Sequence, residues 1–354
     1  MNLIILDQNF DTLGVVSVFN TLIWDRRYYA SGLFELHTPA EFFTLMNTGR
    51  YLYRNDRDEL GVIREVNFAR DAKGTRTAYC KGYFSEELLN GRVLNTQISL
   101  TGTPEVIGRK ISQVKLGELK GIGASVTVTA TGDNLGDKLY EIEKTQELSH
   151  RLRYDYLNND LIFEVWKGKD RTDDQTENSW AIFSDSFYNV KNAVYDRDES
   201  EYKNFAYVAG EGEGSARVIV EVDLRSSADE ERRELYVDAR DLQSTYQDDA
   251  GDEHTYTADQ YKALLRQRGL EKLAEYQKIE TVNGDVDPNA NLTYGVDFDL
   301  GDLCTYRYAD VGIETTKRIT EIQEVYEGSK QTLSVVFGND QMTSITKIIQ
   351  REVF

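Results

Sequence analysis

The amino-acid sequence predicts an α+β fold rich in β-strands, with two strand meanders on either side of a smaller α/β unit. Three observations lead there. Short apolar runs are broken by clusters of turn-forming residues, as in a meander. The chain holds 22 tyrosines, and aromatic side chains suit the half-buried faces of sheets. A few segments instead space their apolar residues at helical intervals and begin with capping residues.

The first meander is plainest between Tyr51 and Phe84. There Tyr51-Leu52-Tyr53 and Leu60-Gly61-Val62-Ile63 are separated by Asn55-Asp56-Arg57-Asp58 and followed by Asp71-Ala72-Lys73-Gly74, both rich in turn chemistry. A helix is expected from Thr103-Pro104-Glu105, because Thr caps, Pro suits the first position, and Ile107, Ile111 and Val114 share a face. A second should run from about Asp133 to His150 with Leu135, Leu139 and Ile142 as its stripe. A hairpin follows: Leu152, Tyr154 and Tyr156 alternate, Asn158-Asn159-Asp160 turns, and Leu161, Phe163 and Val165 alternate again. The clearest helix spans 258–279, with Thr257 and Gln260 as a capping box and Tyr261, Leu264, Leu265 and Leu273 on its apolar face. Gly269 should bend or split it. Strands return through Leu303–Tyr308, Thr316–Val325 and Gln331–Phe337.

This pattern divides the chain into a first β domain (1–100), an inserted helix–hairpin domain (101–182) and a second β domain (183–354) that includes helix 258–279. Three prolines and the absence of any low-complexity run argue for tight packing without flexible linkers. With 354 residues and 40% hydrophobic content, two or three packed domains are possible.

Charge limits the functions available. Against 61 acidic residues stand 41 lysines and arginines, a formal charge of -20, so most of the surface repels nucleic acid and anionic membranes. No span approaches the ~20 apolar residues that cross a bilayer, so no membrane insertion is expected. Met1–Asp7 lacks the basic start of a signal peptide. Cys80 and Cys304 lie far apart and read as free thiols of a protein made in a reducing cytoplasm.

Candidate sites are few. Gly210, Gly212 and Gly214 resemble a phosphate cradle, but they lead into the strand Arg217–Val222, and two interleaved glutamates would repel phosphate. The run reads as a turn between strands. Asp285, Asp287 and Asn289 place oxygen donors at alternate positions, as a calcium loop does; the sharp-turn glycine is missing and Val296 stands at the twelfth position. They are the calcium candidates, and Asp248, Asp249, Asp252 and Glu253 form a similar acidic loop. His37, His150 and His254 have no metal or triad spacing, and the cysteines no redox spacing. No catalytic residue and no cofactor is assigned. Trp24-Asp25-Arg26-Arg27-Tyr28-Tyr29 interleaves aromatic and basic residues; in so acidic a chain it reads as a strand whose Arg27 guanidinium lies on rings such as Trp24 and closes a barrel seam, rather than as a nucleic-acid platform.

Four segments together resemble the tail-hub family of phages and prophages, which includes baseplate hubs and the N-terminal region of tail-associated lysins. The first is Leu22–Leu36, with Trp24, Arg27, Tyr28, Gly32, Phe34 and Glu35. The second is Val165–Thr172, with Asp170 and Arg171. The third joins Phe183-Ser184 to Tyr202–Gly214, with Gly210, Gly212 and Gly214. The fourth is Tyr294–Asp302, with Gly301 and Asp302. They occur in the family's order and span nearly the whole chain.

The resemblance implies a homotrimer in which each chain gives two tube-like β-barrel domains to a ring of pseudo-sixfold symmetry. That ring would sit at a virion's tail tip or baseplate, after synthesis in the host bacterial cytoplasm. Its implied partners are a distal tail ring, a tail fibre, spike or lysin, the tape-measure protein, and DNA that passes without specific binding. Two alternatives stand beside the hub: a tail-associated lysin that hydrolyses cell wall, and a calcium-dependent host-binding adhesin. Lysin-type members often carry a long C-terminal extension, whereas this chain stops at Phe354, soon after the last meander, so no lysin activity is expected.

Overall fold

One long sheet runs through both ends of the chain in the computed structural model, which describes residues 1–70, 72–247, 252–287 and 290–338. Its N-terminal strands are β1 (Leu3–Leu6), β2 (Thr12–Val16), β3 (Thr21–Arg27), β4 (Leu33–Pro39), β5 (Tyr51–Arg54), β6 (Leu60–Arg70) and β7 (Arg76–Phe84). The insert follows as α1 (Glu87–Asn90), β8 (Ile98–Gly102), α2 (Pro104–Ile111), β9 (Lys115–Leu116), β10 (Val126–Ala130), α3 (Leu135–Lys144) and the hairpin β11 (Ser149–Asp155) and β12 (Asp160–Trp166). After β13 (Ile182–Ser184) and β14 (Val190–Asp198) comes a lobe of β15 (Phe205–Ala209), β16 (Ile219–Asp223), β17 (Glu234–Asp238), β18 (Thr245–Gln247), β19 (Glu253–Thr255) and α4 (Ala258–Ala274). The last strands are β20 (Ile279–Val286), β21 (Leu303–Tyr308), β22 (Ile313–Glu327) and β23 (Lys330–Gly338).

The long sheet has the order β14-β20-β23-β22-β3-β4-β7-β6-β5-β1-β2, with β21 and β13 branching from β22. The 15-residue β22 makes this continuity possible. Its first part pairs with β21, and its second part lies between β23 and β3, with Glu321 opposite Arg27 and Glu324 opposite Trp24. Several strands bury alternate residues, as a half-covered sheet should: in β4 these are Phe34, Leu36 and Thr38. β3 departs from that rule, because Trp24, Asp25 and Arg26 are consecutive and all buried.

The larger apolar clusters among the described residues hold these parts. One gathers Leu3, Ile5, Trp24, Phe34, Cys80 and Phe84 under the N-terminal strands. Another gathers Tyr28, Phe183, Phe298, Tyr306 and Phe337 under the C-terminal strands. The insert packs Ile107, Leu139, Ile142, Leu152 and Phe163. The lobe packs α4 on Val208, Val222 and Val237 through Leu264 and Leu265.

The expected caps are present. Thr103 accepts the Val106 amide at 3.3 Å, and Thr257 and Gln260 close a reciprocal box over α4 at 3.3 and 2.9 Å. Two helices are shorter than expected. α3 stops at Lys144, and Glu147 at φ 57° turns the chain into β11. α4 stops at Ala274 and runs unbroken through Gly269. The split expected there is absent, and the glycine serves close packing: a Cβ would lie 2.7 Å from the methyls of both Val208 and Val222. Among the described residues, no helix is long and apolar enough to cross a membrane.

Candidate functional site

The side chains with the most unusual burial collect where β3 meets β22, joining the two ends of the chain. Trp24 is 0% exposed, tilted against Phe84 at 4.6 Å and Phe34 at 6.1 Å between ring centres. A cation does lie over it, but it is Arg54, with its guanidinium 5.4 Å from the ring centre and 5.1 Å from that of Tyr326. The expected Arg27 partner is corrected by strand geometry. Three residues along β3 place Arg27 on the face opposite Trp24, where it pairs with Asp25 at 2.9 Å and Glu321 at 3.7 Å.

Arg54 is held from three sides. It grips Asp56 with two bonds of 3.0 Å and donates to Glu324 and the Tyr326 hydroxyl, each at 3.0 Å. Arg57 adds two bonds of 3.0 Å to the same Glu324 and lies 4.9 Å from the Tyr294 ring centre. Burial works against the Glu324 charge, but Arg54 and Arg57 outweigh it and hold the carboxyl below its ordinary range. Arg26 completes the network with Glu59 at 2.5 Å, Asp299 at 2.6 Å and the Tyr294 hydroxyl at 2.8 Å.

A second cluster adjoins the first through Asp299, whose amide donates to Asp302 at 3.0 Å. Asp302 also receives the Arg171 Nε at 2.7 Å and the Lys169 amide at 2.7 Å. Arg171 reaches on to Ser179 at 2.8 Å and the Val296 carbonyl at 3.1 Å. Asp170 closes a local turn by accepting from the Thr172 amide at 3.0 Å and hydroxyl at 2.7 Å. Gly301 has φ 81°, and a Cβ there would meet the Tyr28 ring at 2.6 Å. Tyr28 lies edge-on to Trp166 with ring centres 4.9 Å apart, and its hydroxyl donates to the Glu147 carbonyl at 3.0 Å.

Three of the four segments singled out in the sequence therefore converge: Trp24–Tyr28, Gly168–Thr172 and Tyr294–Asp302. Gly32 and Phe34 support them from below. A Cβ on Gly32 would sit 2.4 Å from the Asp25 carbonyl oxygen, and Phe34 fills the first core. Glu35 points elsewhere and bonds His37 at 2.5 Å. The glycine run also lies apart, as the β15–β16 turn. A Cβ on Gly210 would meet the Tyr261 hydroxyl at 2.5 Å, while Gly212 and Gly214 take φ 97° and 56°. Sequence reasoning missed Arg54, Arg57, Glu59 and Glu324. Glu324 carried a readable signal: it shares a strand face with Ile322 and Tyr326, where an apolar residue is the ordinary choice.

The arrangement does ionic and packing work. Its carboxylates are matched to arginines, and burial pushes the Cys80 thiol up to about 12 and the Cys304 thiol up as well, away from thiolate chemistry. Of the calcium candidates, Asp285 accepts from Ser334 at 2.5 Å and Asn192 at 2.9 Å, and Asp287 pairs with Lys191 at 2.6 Å. Asn289 lies outside the described residues, as do Asp248 and Asp249. Among the described residues, no three His, Cys, Asp or Glu side chains are grouped to hold a metal.

Comparison with known proteins gives these contacts a context. The fold is similar to that of prophage tail protein gp18 from Listeria monocytogenes EGD-e, at 14% identity over 99% of this chain and 98% of that one, with a TM-score of 0.60. It is similar to the 43 kDa tail protein of prophage MuSo2 from Shewanella oneidensis, at 12% identity over 95% and 98%, TM-score 0.59. A tail protein from Neisseria meningitidis MC58 gives 11% identity over 96% of each chain, TM-score 0.57. No curated protein sequence matches the chain. The family model described as siphovirus ReqiPepy6 Gp37-like protein matches residues 2–100 and 92–339. The β-rich chain, tied end to end by its buried ion network, belongs to that family of phage tail proteins.

Proposed function

We propose that the protein is a structural hub of a phage tail tip or baseplate. The carrying observation is the β3–β22 junction, which fuses the N-terminal and C-terminal meanders into one sheet and locks them with buried arginine–carboxylate pairs. Two barrel-type modules held in fixed relation let three chains present six similar faces, matching a hexameric ring on one side and a trimeric tip on the other. In this reading residues 1–100 and 183–354 form the two modules, and 101–182 is an outer insert. The ring joins the distal tail ring to a fibre, spike or lysin, receives the tape-measure protein, and frames the DNA channel.

The charge of -20 supports a conduit role, since a wall with few free cations offers DNA no series of binding wells. Light scattering on the purified protein tests the assembly. A mass about three times the 40.5 kDa chain is expected at micromolar concentration. A stable dimer or tetramer would overturn the proposal.

A further inference from the structure

Between the end of α3, the segment joining α4 to β20, and strands β20–β22 lies a cleft of about 230 Å³ whose charge opposes that of the whole molecule. Four cations line it, Lys144, Lys278, Lys317 and Arg318, against Glu147 and Glu280. Two of the cations are satisfied: Lys317 pairs with Glu280 at 2.6 Å and Arg318 with Glu147 at 2.6 Å. The other two are not fully matched. Among the described residues Lys278 has Glu230 at 3.7 Å and the Tyr202 ring at 4.7 Å, with Glu199 near enough to feel its charge. Lys144 has the Tyr29 ring at 5.8 Å and, among the described residues, no ion pair.

Lys144 stands in the last turn of α3, where the negative end of the helix dipole favours a cation. That accounts for the residue's tolerance but leaves its ammonium group short of hydrogen-bond acceptors. Burial pulls its protonation downward, and Glu275 compensates only in part. The space beside it far exceeds the about 10–15 Å³ that one ordered water needs. A neighbouring hollow of about 410 Å³ shares Tyr29 and Lys144, so the cleft is open to a group carried on a longer chain. Of the acids lining that neighbour, Glu141 and Glu271 are taken up by Lys138, at 3.0 and 2.8 Å, and Glu275 by Lys272 at 2.7 Å, while Asp137 also lines it.

We propose that the basic half of this cleft is an oxyanion site, taking a carboxylate or phosphate group with Lys144 and Lys278 as its charged donors. Charge-assisted hydrogen bonds from two ammonium groups give such a ligand its affinity, and the acidic remainder of the surface turns away anions elsewhere. The site is independent of the hub reading.

Isothermal titration of the full chain with potassium phosphate, and separately with a hexaglutamate peptide, tests it against potassium chloride of matched ionic strength. Saturable binding of at least one probe is expected, weakened about tenfold in Lys144→Met and in Lys278→Met, as loss of a charged hydrogen bond predicts. Lys110→Met, on the exposed side of α2, should bind as the unaltered protein does. Tighter binding of hexaglutamate assigns the site to acidic side chains of a protein partner, and tighter binding of phosphate assigns it to a phosphate ester. Should Lys144→Met fail to fold, Lys278→Met carries the test. Absence of saturable binding by both probes, or unchanged affinity in a folded lysine variant, overturns the proposal.

Discussion

The β3–β22 junction and the lobe around α4 solve the same packing problem in opposite ways. In the lobe, Gly210 and Gly269 let backbone approach helix, and an apolar cluster does the rest. The ion pairs within the lobe, such as Arg240 with Asp238, reach the surface, where each is worth little, and its buried pair is the one Glu271 makes with Lys138 of the insert. At the junction, Trp24 is packed beside fully buried Arg54 and Glu324. A buried charge is costly unless its partner arrives in good geometry, so the junction tolerates one register of β3 against β22 and penalises the rest. Apolar packing supplies cohesion in the lobe; at the junction the ionic groups supply alignment.

Truncating the junction should produce the largest losses. Glu324→Ala leaves Arg54 and Arg57 without their shared carboxylate and should cost about 3–5 kcal/mol in urea unfolding. Trp24→Ala empties a fully buried site and should cost about 3–5 kcal/mol, with the double variant losing less than the sum. Equal, additive losses at both sites would separate the ring from the ion network. In the lobe, Gly269→Ala should cost about 1–3 kcal/mol, because Val208 and Val222 must move. Hydrogen exchange should then rise in β15, β16 and α4 while the β3–β22 amides stay protected; a uniform rise would break the distinction between the two regions.

The two kinds of buried carboxyl also predict opposite responses to pH. Glu324 is held below its ordinary range, so its contribution is present above that range and is lost as pH falls through the lowered value. Glu86 behaves in reverse. Burial raises its carboxyl, and among the described residues its Oε2 has no hydrogen-bond partner, while Oε1 accepts the Leu152 amide at 3.0 Å. The folded state therefore favours its protonated form, and the penalty for charging it is absent in acid and grows as pH rises past the ordinary carboxylate range. Glu86→Gln should raise the melting temperature at pH 8 by a few degrees and have no effect near pH 4. A stabilisation independent of pH would trace the effect to packing instead. The smallest expected signal is on DNA: no retention of duplex in a gel at ~50 mM salt, where basic surfaces bind most tightly. A salt-sensitive shift would expose a concentrated basic face and contradict the conduit.

Local chemistry was readable along the chain. The hairpin β11–β12, both helix caps and the glycine turn follow from residues within a few positions of one another. The convergence of Trp24–Tyr28, Gly168–Thr172 and Tyr294–Asp302 was not, because it depends on register between strands nearly a whole chain apart. The Arg27 assignment failed for a reason visible in advance, since an offset of three reverses the face of a strand. Arg54 was beyond reach: nothing near it in sequence indicates that Glu324 and Tyr326 will lie beside it.

Pairing β3 with β22 also sets a clock. Glu321–Glu327 leave the ribosome long after Thr21–Arg27, and at ~5–20 residues per second the interval is about 15–60 s. Throughout it one edge of β3 lacks its native neighbour, while the insert has all of its strands and helices and can fold locally. Closure then requires a long-range contact, the slowest kind to form. Wherever many chains are made at once, unfinished ones with that open edge are at risk of pairing with each other. Slower elongation lengthens the exposure, so the yield of folded protein should depend on translation speed more than its final stability suggests.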